Sequence, residues 1–284
     1  MITHRFIDAG GVRTHVAEAG DGDPILLLHG FPQHWYAWSR VIPHLAPGYR
    51  VLCPDFAGSG RSAPPDGRVS TRQRVNQLLA LLDALDLDRV RLAGHDWGAW
   101  TGFALCLRAP ERVTHFAALN MMHPWPQHRR LVAHAWRFWY TALIEYPFAG
   151  RRVLQHYPAV ARRLLRGVPD AEEFVAASRT PVAARAGQQL HWSFVTDDIP
   201  DLVRGRYRRQ RLTVPTLLLA GGRDRIIAPG MLSAAANVRI EVIDHAGHQL
   251  PHEAPEEVAM RIRAHVESSA ALPAFESAAA PPAR

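Results

Sequence analysis

Three residue groups in this chain have the types and the order to carry covalent hydrolysis. They are Asp96 in Gly94-His95-Asp96-Trp97-Gly98, Asp224 in Gly221-Gly222-Arg223-Asp224, and His248 in Ala246-Gly247-His248. An ionised carboxylate can displace a leaving group from a saturated carbon and form an alkyl ester. That ester offers an acyl carbon to water once a base takes the water's proton. A histidine oriented by a second carboxylate suits the task. Asp96 is expected as nucleophile, His248 as base and Asp224 as the acid that holds it. Each motif alone is weak: G-x-D-x-G by itself says little, Asp224 has the plain reading of a turn residue, and His248 that of one loop histidine among 16. The joint pattern carries the reading.

A nucleophile has to stand clear of the element that bears it. "DRVRLAG" reads as a strand running into the Gly94–Gly98 frame, and residues 98–109 read as the helix leaving it. Gly94, Gly98 and Ala99 are small enough for a sharp turn with a helix passing close behind. The helix N-terminus favours negative charge, so Asp96 should stay ionised. In "LLLHGFPQHWYAW" a strand ends in a tight turn, and the Phe31 and Trp97 N–H groups are expected to form an oxyanion hole. His29 reads as structural. "DFAGSGRS" reads as a Gly-rich turn without a following helix in phosphate-binding register.

The elements that must position these residues are α/β in class. Strand candidates "HRFID", "VRTHVAEAG", "PILLLHG", "RVLCPDFAG", "DRVRLAG" and "RVTHFAALN" fill the first 120 residues, with a Gly-Gly turn after the first. A helix is expected at 71–85, with Thr71 as its cap. Residues 122–212 hold no convincing strand and are rich in Trp, Arg and helical spacing. "LTVPTLLLAGGRD" and "NVRIEVIDHAGH" return to strand character, and a helix over 255–266 closes the fold. The organisation is a core over 1–121 and 213–270, a helical lid over 122–212, and a small, Pro-rich tail over 271–284 expected to be disordered.

Composition excludes several classes. The 284 residues are 48% hydrophobic and 21% charged, values of an ordinary globular chain. No apolar run approaches the ~20 residues that cross a bilayer, and the N-terminus lacks the layout of a secretion signal. Cys53 and Cys106 make no disulfide framework. A cytoplasmic enzyme fits, with no membrane and no nucleic acid among its partners. The charge is +7, and every basic residue among the 33 is Arg. Residues 122–212 carry 15 Arg against 7 acids, at spacings that read as a solvated helical face. No metal or organic cofactor is expected, since no cluster has ligand spacing.

The motifs "HGFPQHWYAW", "DFAGSGRS", "GHDWGA", "GGRD" and "AGH", spread over residues 29–248, resemble the α/β-hydrolase superfamily and its Asp-nucleophile branch of epoxide hydrolases and haloalkane or haloacid dehalogenases. The resemblance implies a mostly parallel eight-stranded sheet with helices on both faces. It also implies the order nucleophile, acid, histidine. Phe31 after His-Gly, where haloalkane dehalogenases often carry Asn, and Trp97, where fluoroacetate enzymes carry Arg, favour an epoxide over a halide. Epoxide hydrolases protonate the leaving oxygen from two lid tyrosines. Tyr140 is the first choice here, with Tyr146 and Tyr207 as further candidates, and His191 stands where the second tyrosine is expected. Trp97, Trp35 and Trp192 are expected to line an apolar pocket, and Trp125, Trp136 and Trp139 to pack the lid against the core. The substrate is expected to be a small apolar epoxide or halogenated compound, with water. A dehalogenase and a catalytically silent binding scaffold remain the alternatives, and a homodimer stays open.

Overall fold

The computed structural model describes residues 1–268 apart from Asp66 and Ala234, so the 271–284 tail lies outside the described residues. Its strands are β1 (Thr3–Ala9), β2 (Val12–Ala19), β3 (Asp23–Leu28), β4 (Tyr49–Pro54), β5 (Val90–His95), β6 (Val113–Leu119), β7 (Thr216–Gly221) and β8 (Val238–Ile243). They form one eight-stranded sheet in the order β1-β2-β4-β3-β5-β6-β7-β8. β2 runs antiparallel to both its neighbours, and all other pairs are parallel.

The apolar runs explain the layering. Side chains alternate across a strand, so a strand buried on both faces must be apolar throughout. Ile25 and Leu27 enter one core cluster, and Leu26 and Leu28 enter the other. The helices Thr71–Ala84 and Trp97–Arg108 cover the second face, and Pro255–Val266 covers the first. The first of these helices is capped one residue earlier than expected. Ser70 Oγ accepts the Gln73 N–H at 3.2 Å, while the Thr71 hydroxyl donates to Asp198. The cap belongs to the residue in extended conformation, which here is Ser70.

Strand order decides where a site can form. β3 lies between β4 and β5, so the chain leaves it first to one side and later to the other. Loops diverge at such a switch point and open a crevice at the carboxyl ends of the strands. His29-Gly30-Phe31 follows β3 there, and Asp96 follows β5.

Between β6 and β7 the described chain is helical. Helix Pro181–Ser193 is the seat of this excursion: its Ala186 and Leu190 pack with Val69 and Trp97 of the core. A π-helical turn, Phe194–Asp198, follows it. Asp198 there accepts the Trp100 indole N–H at 3.2 Å and the Thr71 hydroxyl at 2.9 Å, tying the excursion to two core helices. Trp125 packs inward, its indole N–H donating to the Tyr207 carbonyl at 2.7 Å. Trp136 and Trp139 do not: they are 68% and 58% exposed, which corrects the expectation that they pack the excursion on the core. Among the described residues no helix is long and apolar enough to cross a membrane.

Candidate active site

Asp96 is held at a strained backbone position, φ 52° and ψ −124°, between β5 and the helix Trp97–Arg108. Such geometry at a non-glycine residue costs on the order of 1–3 kcal/mol and persists only where surroundings dictate it. They do so here. A Cβ on Gly98 would lie 2.3 Å from the Leu28 carbonyl oxygen, one on Gly94 would lie 2.7 Å from the Gly98 carbonyl, and one on Gly30 would lie 2.6 Å from Asp96 Cβ. The Asp96 N–H donates to the Leu119 carbonyl at 3.0 Å, and the Phe31 N–H donates to Asp96 Oδ1 at 2.9 Å. The Trp97 N–H belongs to the first helical turn, where N–H groups lack intrahelical acceptors.

Across the crevice, His248 Nδ1 lies 2.8 Å from Asp224 Oδ2, and its Nε2 lies 3.6 Å from Asp96 Oδ2. The first is a hydrogen bond; the second is an ion-pair distance with no hydrogen bond. Asp224 is buried, and its other oxygen accepts the Ile226 and Ile227 N–H groups at 2.7 and 3.0 Å. Burial opposes a charge on His248, but Asp224 and then Asp96 outweigh it and push the imidazole up to about 10. Burial also works against ionised Asp96, yet His248, His95 and the Phe31 N–H hold it below the usual carboxylate range. At rest the two face each other as imidazolium and carboxylate.

Two residues that the motif reading passed over hold His248 in place. Asn120, at φ 46°, accepts the Gly221 N–H at 2.7 Å and donates to the carbonyls of Gly247 and His248 at 2.9 and 2.6 Å. His95 Nε2 donates to the same His248 carbonyl at 2.8 Å, and burial pulls this imidazole down to about 4, so it stays neutral. Both are polar residues closing an apolar strand, which was their one signal in the sequence. His29 is structural: its Nε2 accepts the Phe56 N–H at 3.1 Å and its Nδ1 donates to the Gly30 carbonyl at 2.8 Å. The Gly-rich turn after β4 is folded around Asp55, which accepts from Trp35 N and Arg61 N and pairs with His15.

The candidates from the helical excursion divide. Tyr140 is half-buried and packs with Phe31 against Ile144, Leu154 and Ala184. Burial, then the charges of Asp96 and Asp224, raise its pKa and keep the phenol protonated. His191 is buried, edge-on to Phe31 and Trp97 with ring centroids 4.8 and 4.9 Å away. Its Nδ1 proton is committed to the Gly187 carbonyl at 2.8 Å, and burial brings the ring down to about 4. Neutral at pH 7, His191 turns only a lone pair at Nε2 to its surroundings, so the expected donor is an acceptor.

Others fall away from Asp96. Tyr146 is 63% exposed, with its ring 6.3 Å from that of the half-buried Trp192. Tyr207 faces Asp198 at the anchor of the excursion. Trp35 is a core residue packed edge-on against His4, His15 and Tyr36, so it does not line this crevice. A helical neighbour one position on points about 100° away, which separates His191 from Trp192. Among the described residues no group of three His, Cys, Asp or Glu side chains is placed to hold a metal.

A family model described as alpha/beta hydrolase fold matches residues 23–255. The chain belongs to the α/β-hydrolase fold family. It is 29% identical over 272 residues to a soluble epoxide hydrolase of Corynebacterium sp. (strain C12), covering 90% of this chain and 94% of that protein. A haloalkane dehalogenase of Psychrobacter cryohalolentis is 43% identical over 122 residues, only 41% of this chain and 40% of its own. Among solved structures, an epoxide hydrolase of Vigna radiata superposes with a TM-score of 0.74 over 93% of this chain and 97% of that one, at 22% identity, a likeness of fold. The likeness to the Corynebacterium protein spans nearly the whole chain, and that to the Psychrobacter protein is confined to a part.

Proposed function

We propose that this α/β hydrolase opens epoxides to vicinal diols through an ester on Asp96. The observation that carries the reading is the division of labour on one carboxylate: Asp96 Oδ1 rests on the Phe31 N–H while Oδ2 faces His248 Nε2, with Asp224 behind the imidazole. Oδ2 is the attacking atom. It displaces the epoxide oxygen from carbon, and Tyr140 gives its proton to the leaving alkoxide. The helical excursion acts as a lid that carries Tyr140 over the crevice.

Ester formation changes the electrostatics of the base. Neutralising Asp96 removes one of the two charges that hold the His248 proton, so the imidazole loses it more easily. The proton spent by Tyr140 is thereby restored, and neutral His248 then takes one from water. The hydroxide attacks the Asp96 acyl carbon, and negative charge develops on Oδ1, where the Phe31 N–H already points and the Trp97 N–H is close in sequence. Each such donor is worth on the order of 3 kcal/mol in the transition state. Collapse releases the diol, which takes the proton from His248, and the hydroxyl proton left on Asp96 then passes to His248, restoring the carboxylate and the imidazolium.

A second reading, dehalogenation, is favoured by one observation. His191 commits its proton to Gly187, which leaves Tyr140, whose phenol lies within reach of the charges of Asp96 and Asp224, to protonate the leaving oxygen alone. A halide leaves without a proton. One experiment separates the readings: His248→Gln protein is mixed with a panel of epoxides and haloalkanes, and the peptide holding Asp96 is weighed. An adduct of the full epoxide mass supports the first reading, and an adduct lacking the halogen supports the second. No adduct from any substrate that the wild type consumes overturns both, and a wild type that consumes none of the panel returns the silent-scaffold reading.

A further inference from the structure

Away from the triad, orphaned polar groups collect on the far wall of the Gly30–Phe31 turn. Arg74, in the first turn of helix Thr71–Ala84, is 6% exposed, with its guanidinium carbon 4.1 Å above the Phe56 ring. Its Nε and Nη1 are buried without a hydrogen-bond partner. Gln33 is 3% exposed, and both its amide nitrogen and its amide oxygen lack partners. The two side chains line one chamber together with Gly30, Phe31, Ser59 and Gly187. Its mouth opens to solvent, and the room it encloses is small.

Burying an unpaired cation is costly, and an aliphatic residue would serve helix–sheet packing better. Burial brings the guanidinium down to about 9, with Asp96 opposing, so it remains a cation at pH 7. A water molecule could satisfy its hydrogen bonds but would add no negative charge to that of Asp96, with which Arg74 has no direct contact. A small anion answers both. Gln33 adds a neutral donor beside the cation, and its free oxygen accepts from a water carried in with the ligand.

We propose that Arg74 and Gln33 form a binding site for a carboxylate. Its source is either the acidic end of a substrate whose reactive carbon sits at Asp96, or a free small acid. The chamber suits the first source, because the same turn forms its wall and touches the nucleophile. Gly30 abuts Asp96 Cβ, and Phe31 N–H holds Oδ1. Only that substrate arm rests on the reading of Asp96 as nucleophile; binding itself does not.

The test measures thermal stability and heat of binding with sodium acetate at constant ionic strength, with acetamide as the neutral isostere. Wild type should show saturable stabilisation by acetate and none by acetamide. Arg74→Met should lose the response, and Gln33→Glu, which supplies an internal carboxylate, should lose it while melting higher without ligand. In the kinetic arm, KM is compared for an epoxy-acid and its methyl ester. An Arg74→Met increase of ~10-fold or more for the acid alone identifies the substrate's carboxylate. Acetate binding with equal KM changes for both identifies a free ligand. No acetate response in wild type, together with no acid–ester discrimination by Arg74, overturns the site. Absence of epoxide turnover would leave the binding arm to decide by itself.

Discussion

The carboxyl edge of the sheet and the helical excursion above it present polar groups to one crevice by opposite means. At the sheet edge each group is locked by backbone: Asp96 by glycines that no Cβ can replace, Asp224 by two N–H donors, and His248 by carbonyls gripped by Asn120 and His95. In the excursion Tyr140 and His191 are placed by ring packing against Phe31, Trp97 and a small apolar cluster. Backbone hydrogen bonds hold an atom to a few tenths of an ångström, whereas packing fixes a face and leaves the tip freer. Covalent chemistry belongs on the first kind of support, and proton donation tolerates the second.

The contrast is most open to breakage at Asp224. Asp224→Asn keeps the shape and misdirects the His248 tautomer, so turnover should fall by ~10⁴-fold. A loss under tenfold would show that the backbone clamp alone orients the imidazole. Gly98→Ala tests the rigid support itself. Its Cβ meets the Leu28 carbonyl at 2.3 Å, so unfolding in denaturant should show a loss of about 3 kcal/mol or more. An unchanged midpoint would mean that the elbow can relax.

Tyr140→Phe should cut epoxide turnover by about 10²-fold with folding intact, while Tyr146→Phe, whose ring is 63% exposed, should change nothing measurable. Equal effects would erase the distinction between the two tyrosines. The smallest effect is in pH. His248 binds its proton more tightly folded than unfolded, so its stabilisation is complete below pH 6.5 and lost as pH climbs towards about 10. The stability margin of wild type over His248→Gln should shrink across that window. A margin that grows would reverse the assigned ion pair.

Legibility follows the same line. The eight strands, the closing helix and the Gly94–Gly98 turn could be read because apolar runs and small residues act over a few neighbours in sequence. Asn120 and His95 were missed because their partners, the carbonyls of Gly247 and His248, lie more than 120 residues away in the chain. Trp35 was misplaced for a related reason: "HWYAW" shows an aromatic cluster without showing which side it turns to. His191 was found by position, yet its chemistry depended on Gly187 one helical turn earlier taking its proton.

Composition and local pattern by themselves determined the class of fold, the order of Asp96, Asp224 and His248, and the need for glycine around the first. These properties depend on the backbone reach and side-chain size of near neighbours. Tertiary structure alone decided that His191 accepts, that Tyr146 faces outward, and that Arg74 and Gln33 share a chamber behind Phe31. Protonation and direction are set by whatever packs against a group, and that neighbour can come from anywhere in the chain.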